Sequence, residues 1–275
     1  MIGMHRPAEI VIMRHAEYYW NIAYQCDFQF DSLDDVPPEI VDVVEQYVPL
    51  TPKGKEQAIA TGHALAKMYP GGFDAIFFSP WDRVDQTLDF VLAGWSDERI
   101  RNRMREFSKE SHDIAEQDQG DRVQYLDSRK RETWSMQFER LQKLLAMKHR
   151  NHTCFRDSGL HTGDIELDGP TRTGESHWEV ARRTGNFLQR IFVPHYSRKK
   201  ILIIAHLASI MWLRAALEHL RPRQVIADLN RKDKKFAISN CGVSLYRWQA
   251  DLPKDDHWER VFWNRTFYDG AIPEP

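Results

Sequence analysis

The chain has 275 residues, of which 42% are hydrophobic and 12% aromatic, which excludes wholesale disorder and suits one α/β domain carrying insertions. A formal net charge of -2 excludes the global basic excess of many nucleic-acid binders, so any anion site must come from a local cluster of Arg and Lys. Cys26, Cys154 and Cys241 are far apart and odd in number, against a disulfide framework or zinc site, and no apolar run is long enough for a signal peptide or a membrane span, so a cytoplasmic protein is expected.

Ile10 to Met13 is a continuous apolar run, which predicts a strand buried on both faces rather than a half-exposed one. Residues 22–50 are acidic, contain Pro37-Pro38, and read as an insertion. It should hold a short helix ending near Tyr47, with Ile40, Val43, Val44 and Tyr47 inward. Thr51-Pro52 predicts an N-cap followed by proline at the first helical position, with the helix running through Ala58, Gly62, Leu65 and Ala66. Ala75 to Phe78 predicts the second strand. Residues 107–170 are longer and more polar, with one amphipathic helix carrying Trp134, Phe138, Leu141 and Leu145 on one face. This stretch reads as an inserted cap over the carboxyl edge of the sheet, with a lid and a dimer contact both open. Ser176 and Glu179 have capping-box spacing, and Ala181, Thr184, Leu188 and Ile191 continue that helix. Ile201 to Ala205 predicts a third strand, followed by a helix with Ile210, Leu213, Leu217 and Leu220. Val243 to Trp248 and Arg260 to Arg265 are the last expected strands. Strands alternating with helices imply a single α/β domain with a mainly parallel central sheet and helices on both faces.

In open α/β sheets, ligands bind outside the carboxyl ends of the strands. The first strand ends in Arg14-His15, the second in Ser79 with Arg83 just beyond, and the third in His206. Two arginines and two histidines are therefore expected in one crevice. Arginine forks match phosphate oxygens in geometry and charge. A histidine among cations is biased toward the neutral, nucleophilic form. Such a histidine can attack phosphorus and hold the phosphoryl group covalently while the fixed cations stabilise the transferring oxygens.

Arg14-His15-Ala16-Glu17 followed by Asn21 resembles the Arg-His-Gly-Glu signature of the histidine phosphatase superfamily, phosphoglycerate mutase-like branch. Four later blocks resemble the same family in the same order: Leu50-Thr51-Pro52-Lys53-Gly54 with Gln57-Ala58 and Gly62; Ser79-Pro80-Trp81-Asp82-Arg83 with Gln86-Thr87; Gly174-Glu175-Ser176 leading to Arg182; and Ile203-Ile204-Ala205-His206. The resemblance implies His15 as the nucleophile, His206 as a catalytic phosphate ligand, and Arg14, Asn21 and Arg83 as further phosphate ligands. It also implies an acidic proton donor. Glu106 is the best match, and Glu110 and Glu17 are weaker ones. Ala16 replaces the usual glycine. Leu207 replaces a glycine that often follows the second histidine, and Asp82 and Asp85 flank Arg83, where they would pull its guanidinium away.

The implied activity is phosphomonoester hydrolysis through phosphohistidine, with mutase-type transfer or a degenerate phospho-ligand or partner-binding protein as alternatives. Residues 22–36 and 107–120 do not resemble the mutases, which favours hydrolysis. Thr51 and Ser176 are explained as helix caps, Asn21 equally well as a cap or a ligand, and Glu106 nearly as well by a solvated face. Arg129-Lys130-Arg131 reads as a solvated helix start. His112, His149, His152, His161 and His177 have no metal-ligand spacing, so neither metal nor cofactor is assigned. The expected partner is a small phosphorylated substrate, with no nucleic acid and no membrane. Trp258, Phe262, Trp263 and Phe267 leave open a sheet-edge seal or a homodimer contact.

Overall fold

The computed structural model describes residues 5–25, 37–40, 45–117, 175–230, 238–250 and 257–269. Among these residues six strands form one sheet: β1 (Glu9–Arg14), β2 (Ala75–Phe78), β3 (Ser108–Glu110), β4 (Lys200–Ala205), β5 (Val243–Trp248) and β6 (Trp258–Arg265). Their spatial order is β3-β2-β4-β1-β5-β6. The first four strands run parallel, and β5 and β6 are antiparallel additions at one side. The apolar runs become central because each has two faces to cover. Val11, Met13, Ile76, Phe78, Leu202, Ile204, Val243 and Leu245 face one core, whereas Ile10, Ile12, Ala75, Phe77, Ile201, Ile203, Ala205 and Tyr246 face the other. This is the period-two alternation of a strand, hidden from a hydropathy reading because both faces are dry.

Helices α2 (Pro52–Met68) and α3 (Asp82–Leu92) cover the first face, through Leu65, Val84, Leu88 and Val91. Helices α5 (His177–Ile191), α6 (Leu207–Leu217) and α7 (Pro222–Asn230) cover the second, through Val180, Phe187, Ile210, Leu213 and Val225. The short α1 (Tyr19–Gln25) follows β1, and α4 (Glu98–Glu106) leads into β3. Both expected caps form. Thr51 accepts from Gly54 N–H at 2.9 Å, and Ser176 and Glu179 make a reciprocal capping box. Gly62 sits inside a helix because α2 and α3 touch there: a Cβ would lie 2.1 Å from the Val91 carbonyl oxygen. Among the described residues no helix is long and apolar enough to cross a membrane.

Three sequence expectations change. Where the sequence predicts a short helix, Pro38–Ile40 and Glu45–Tyr47 are each a 3-10 turn, and residues 41–44 lie outside the described residues. Tyr47 is 55% exposed instead of inward. Among the described residues of this stretch Val48 and Leu50 are buried, and Glu45 turns toward Arg83. The polar stretch after residue 107 begins with an edge strand, because β3 pairs with β2 through Ser108, Lys109 and Glu110. The expected amphipathic helix at 134–145, Val43-Val44 and Arg129 to Arg131 lie outside the described residues. All four C-terminal aromatics find partners within the chain. Trp258 stacks on Phe192, Trp263 lies under the Arg214 guanidinium, and Phe262 meets Phe267 edge-on.

Candidate active site

The chain leaves β1 at Arg14 and turns through His15, Ala16 and Glu17 under a set of fixed hydrogen bonds. His15 N–H donates to Ala205 O on β4, and its carbonyl accepts from Cys241 N–H and Asn240 Nδ2. Ala16 N–H donates to Thr87 Oγ1 and Glu17 N–H to Gln57 Oε1. Gln86 Oε1 accepts from Leu50 N–H. The polar residues of the second and third sequence blocks therefore clamp the loop that presents His15. Gly54 is required for the same reason, since a Cβ there would stand 2.0 Å from the Glu17 carbonyl oxygen.

Four predicted residues come together. His15 and His206 are buried, with ring centroids 5.1 Å apart. Arg83 is 1% exposed and sandwiched between Tyr18 and Trp81, 4.2 Å from each ring centroid. Arg14 donates from Nη1 to Ile238 O at 2.6 Å. His15 Nδ1 lies 2.8 Å from Ala16 O. A carbonyl only accepts, so Nδ1 carries the proton and Nε2 the lone pair. His206 Nε2 meets Ser79 Oγ at 2.7 Å, and its Nδ1 is buried without a hydrogen-bond partner. Arg83 Nε is likewise buried without a partner. Asn21 spends its Oδ1 on Tyr18 N–H and Asn240 Nδ2, which leaves its own amide hydrogens as donors.

Burial, then the charges of Arg83 and Arg14, hold His15 well below the usual histidine range. His206 is lowered in the same way, by burial and then by Arg83, with His15, Arg14 and Arg183 adding to it. Both imidazoles are therefore neutral at pH 7, while in the unfolded chain they titrate near the ordinary value of 6.5. Below that pH the unfolded chain binds protons that the folded one refuses. Their stabilising contribution is complete above pH 6.5 and is lost as pH falls, by up to about 1.4 kcal/mol per pH unit for each histidine. The melting temperature is thus expected to drop between pH 7.5 and 5.5, and to drop less in a His206→Gln variant. Calorimetry across that range checks this.

Glu106 is not brought to this cluster. It is the exposed last residue of α4 and precedes β3, whose Ser108 pairs with Ile76 near the amino end of β2. The site lies at the carboxyl end. Glu110 is exposed beside His112, and Glu17 is tied to Thr51 and Lys53. A buried acidic group beside His206 is Glu116, in the turn after β3. Part of that residue reaches the surface, but its carboxyl lies inside, accepting from Ala208 N–H at 3.2 Å and Gln117 N–H at 2.9 Å. Burial raises its pKa, against the opposing pull of the Gln117 hydrogen bond, Arg83 and Arg14. The donor Ala208 stands two residues after His206 in the first turn of α6, which sets the carboxyl beside the histidine cluster. The sequence signal for Glu116 was weak because β3 is short and polar. The rule about carboxyl ends would have pointed to residues 111–117 had that strand been read.

The aspartates flanking Arg83 do not hold it: Asp85 pairs with Arg105 at 2.8 Å. Glu45 does, through its carbonyl at 3.2 Å from Nη1 and its carboxylate at 3.6 Å from Nη2. Tyr18 hydroxyl also donates to that carboxylate at 3.1 Å. Glu45 therefore competes with any anion for Arg83. Glu45→Gln is expected to tighten competitive inhibition by inorganic phosphate roughly three- to tenfold, the scale of about 1 kcal/mol for such a pair. Leu207 packs its side chain against the second core, so it leaves the His206 contacts intact. In the fourth block the inward arginine is Arg183, and Arg182 is exposed. Among the described residues no group of His, Cys, Asp or Glu is arranged to hold a metal ion.

A family model described as the histidine phosphatase superfamily (branch 1) matches residues 10–261. Among solved structures, YhfR from Bacillus stearothermophilus is similar with a TM-score of 0.60 at 16% identity, over 94% of this chain and 98% of that one. A mycobacterial glucosyl-3-phosphoglycerate phosphatase complexed with VO3 gives 0.56 at 15%, over 94% and 100%. A phosphoserine phosphatase mutant from Entamoeba histolytica, complexed with phosphoserine, gives 0.53 at 18%, over 94% and 98%. At these identities the structural likenesses establish the fold. Among curated proteins no significant match is found.

Proposed function

Since the chain belongs to the histidine phosphatase superfamily, branch 1, we propose that it hydrolyses small phosphomonoesters in two steps through a phosphohistidine on His15. The observation that carries this reading is a neutral, buried His15 with its Nδ1 proton held by Ala16 O, set beside Arg14, Arg83 and His206. In the first step the Nε2 lone pair attacks phosphorus. The bond to the ester oxygen breaks, and Glu116, not Glu106, gives that oxygen its proton. The raised pKa of Glu116 favours the protonated form that this role needs. Arg14, Arg83, Asn21 and His206 hold the equatorial oxygens. In the second step the Glu116 carboxylate takes a proton from water, which attacks phosphorus and breaks the P–N bond. The relatives named for phosphoserine and glucosyl-3-phosphoglycerate support a small phosphorylated metabolite as substrate.

The test is phosphate release from an aryl phosphate and a panel of phosphometabolites, with EDTA present. Release of free phosphate supports the proposal. Isomerised phosphoester without net phosphate would make the protein a mutase, and binding of vanadate without any turnover would make it a phospho-ligand binder.

A further inference from the structure

We propose that Arg183 is a positioning residue for the proton donor: it fixes the turn that carries Glu116 so that the carboxyl stays at the leaving oxygen. This rests on the reading of Glu116 as the general acid. Arg183 lies on α5, one turn beyond the buried Val180, and its guanidinium points at the turn between Asp113 and Gln117. Nη1 donates to Asp113 O at 2.7 Å, and Nη2 donates to Glu116 O at 3.1 Å. Both carbonyls of the turn's two ends are thus held by one rigid plane. The plane is itself oriented by Glu175, which accepts from Nε at 2.6 Å and from Nη2 at 2.9 Å. Gln117, next to Glu116, donates from its side chain to Glu175 O at 2.8 Å. Ser209 on α6 donates to Ala115 O, and Arg190 pairs with the Asp113 carboxylate.

These contacts matter because the turn follows a strand of only three residues at the edge of the sheet. The last bond to β2 is from Ser111 N–H to Phe78 O, and among the described residues no strand pairs with the chain beyond it, so side chains from α5 and α6 hold this turn. Among the described residues the Glu116 carboxyl accepts from two backbone N–H groups, those of Ala208 and Gln117. Rotation of the turn would break the first of these and move the acid from the site. Arginine suits the task because a planar fork reaches two carbonyls and a carboxylate at once, whereas an ammonium is a point donor. A displacement of about 1 Å in a catalytic group costs on the order of a hundredfold in rate.

A structural ion pair would lower stability on removal but would not discriminate between substrates. A positioning residue for the acid should. Its loss matters most for a leaving group that needs a proton. We would measure kcat/KM for phenyl phosphate and dinitrophenyl phosphate on Arg183→Met, Arg183→Lys and Glu116→Gln. The ratio of the two values for one sample does not depend on the folded fraction, and the lysine variant carries the test if the methionine variant does not fold. Arg183→Met is expected to lose at least about tenfold more on phenyl than on dinitrophenyl phosphate, with Arg183→Lys between it and wild type. Equal losses on both substrates for the Arg183 variants, with Glu116→Gln selective, overturn the role of Arg183 and leave Glu116 as the acid. An unselective Glu116→Gln overturns the acid assignment itself, and the positioning role with it.

Discussion

Replacement of His15 by alanine is expected to abolish phosphate release, by roughly 10⁴-fold or more, while leaving a folded protein. No neighbouring group can take over. His206 has its Nε2 on Ser79 Oγ at 2.7 Å, so that nitrogen is engaged in a hydrogen bond rather than presented for attack. Wild-type protein quenched in alkali during turnover should carry a phosphoryl group on His15, because a phosphoramidate P–N bond survives base and not acid. The variant should carry none. Structurally the substitution removes one buried imidazole and one hydrogen bond to Ala16 O. Because that imidazole resists protonation, its loss also flattens the acid side of the stability profile, in the sense derived above for His206. An alanine variant that retains turnover on any substrate hydrolysed by wild type would remove the phosphohistidine from the mechanism.

The legibility of this protein divides along a physical line. The central strands β1, β2 and β4 are continuous apolar runs because both faces are buried, and each is visible in one dimension. His15, Arg83 and His206 follow directly from those strands, since the residue after a parallel strand's carboxyl end is placed by topology alone. Glu116 belongs to the same rule but hangs from β3, whose Ser-Lys-Glu sequence resembles any exposed loop. An edge strand is paired on one side only and owes its existence to β2, a long-range partner that local pattern does not encode. Glu45 was obscure for a related reason. Its inward position comes from a need of Arg83, not from any apolar periodicity. Glu106 is the best match by sequence proximity to the third block, but α3 and α4 run from one to the other and return the chain to the amino end of the sheet, where β3 begins beside Ile76.

The polar residues of the sequence blocks show the complementary case. Thr51 is legible in one dimension as a helix cap, whereas Gln57, Gln86 and Thr87 are legible there only as positions of resemblance. In three dimensions they are acceptors for backbone N–H groups that the loops around Ala16, Leu50 and Gly54 would otherwise bury unpaired. Leaving one such donor unmatched costs about 1–3 kcal/mol, which is enough to displace the loop carrying His15.

Arg83 combines a large functional expectation with a small structural one. Removing a fixed cation from a phosphoryl-transfer site costs on the order of 10²- to 10³-fold in kcat/KM, so Arg83→Met should fall by that amount on any substrate. Stability should behave differently. The guanidinium is fully buried, faced by two aromatic rings, and offset by a carboxylate no closer than 3.6 Å. A buried cation with so loose a counter-ion has a desolvation cost that its pairing does not recover, and an apolar chain of similar length in such a place is often neutral or stabilising by about 1–4 kcal/mol. Its removal also relieves the repulsion that lowers the pKa values of His15 and His206. Arg83→Met is therefore expected to melt at the same temperature as wild type or a few degrees higher, and to lose less stability on acidification. Arg83→Lys should recover part of the activity through its charge, though without the planar stacking between Tyr18 and Trp81. Paired melting curves and steady-state kinetics on the three proteins check both halves. A methionine variant within about threefold of wild-type kcat/KM would show that Arg83 does not bind the transferring phosphoryl group, whereas one that loses activity and stability together would make Arg83 a structural residue first.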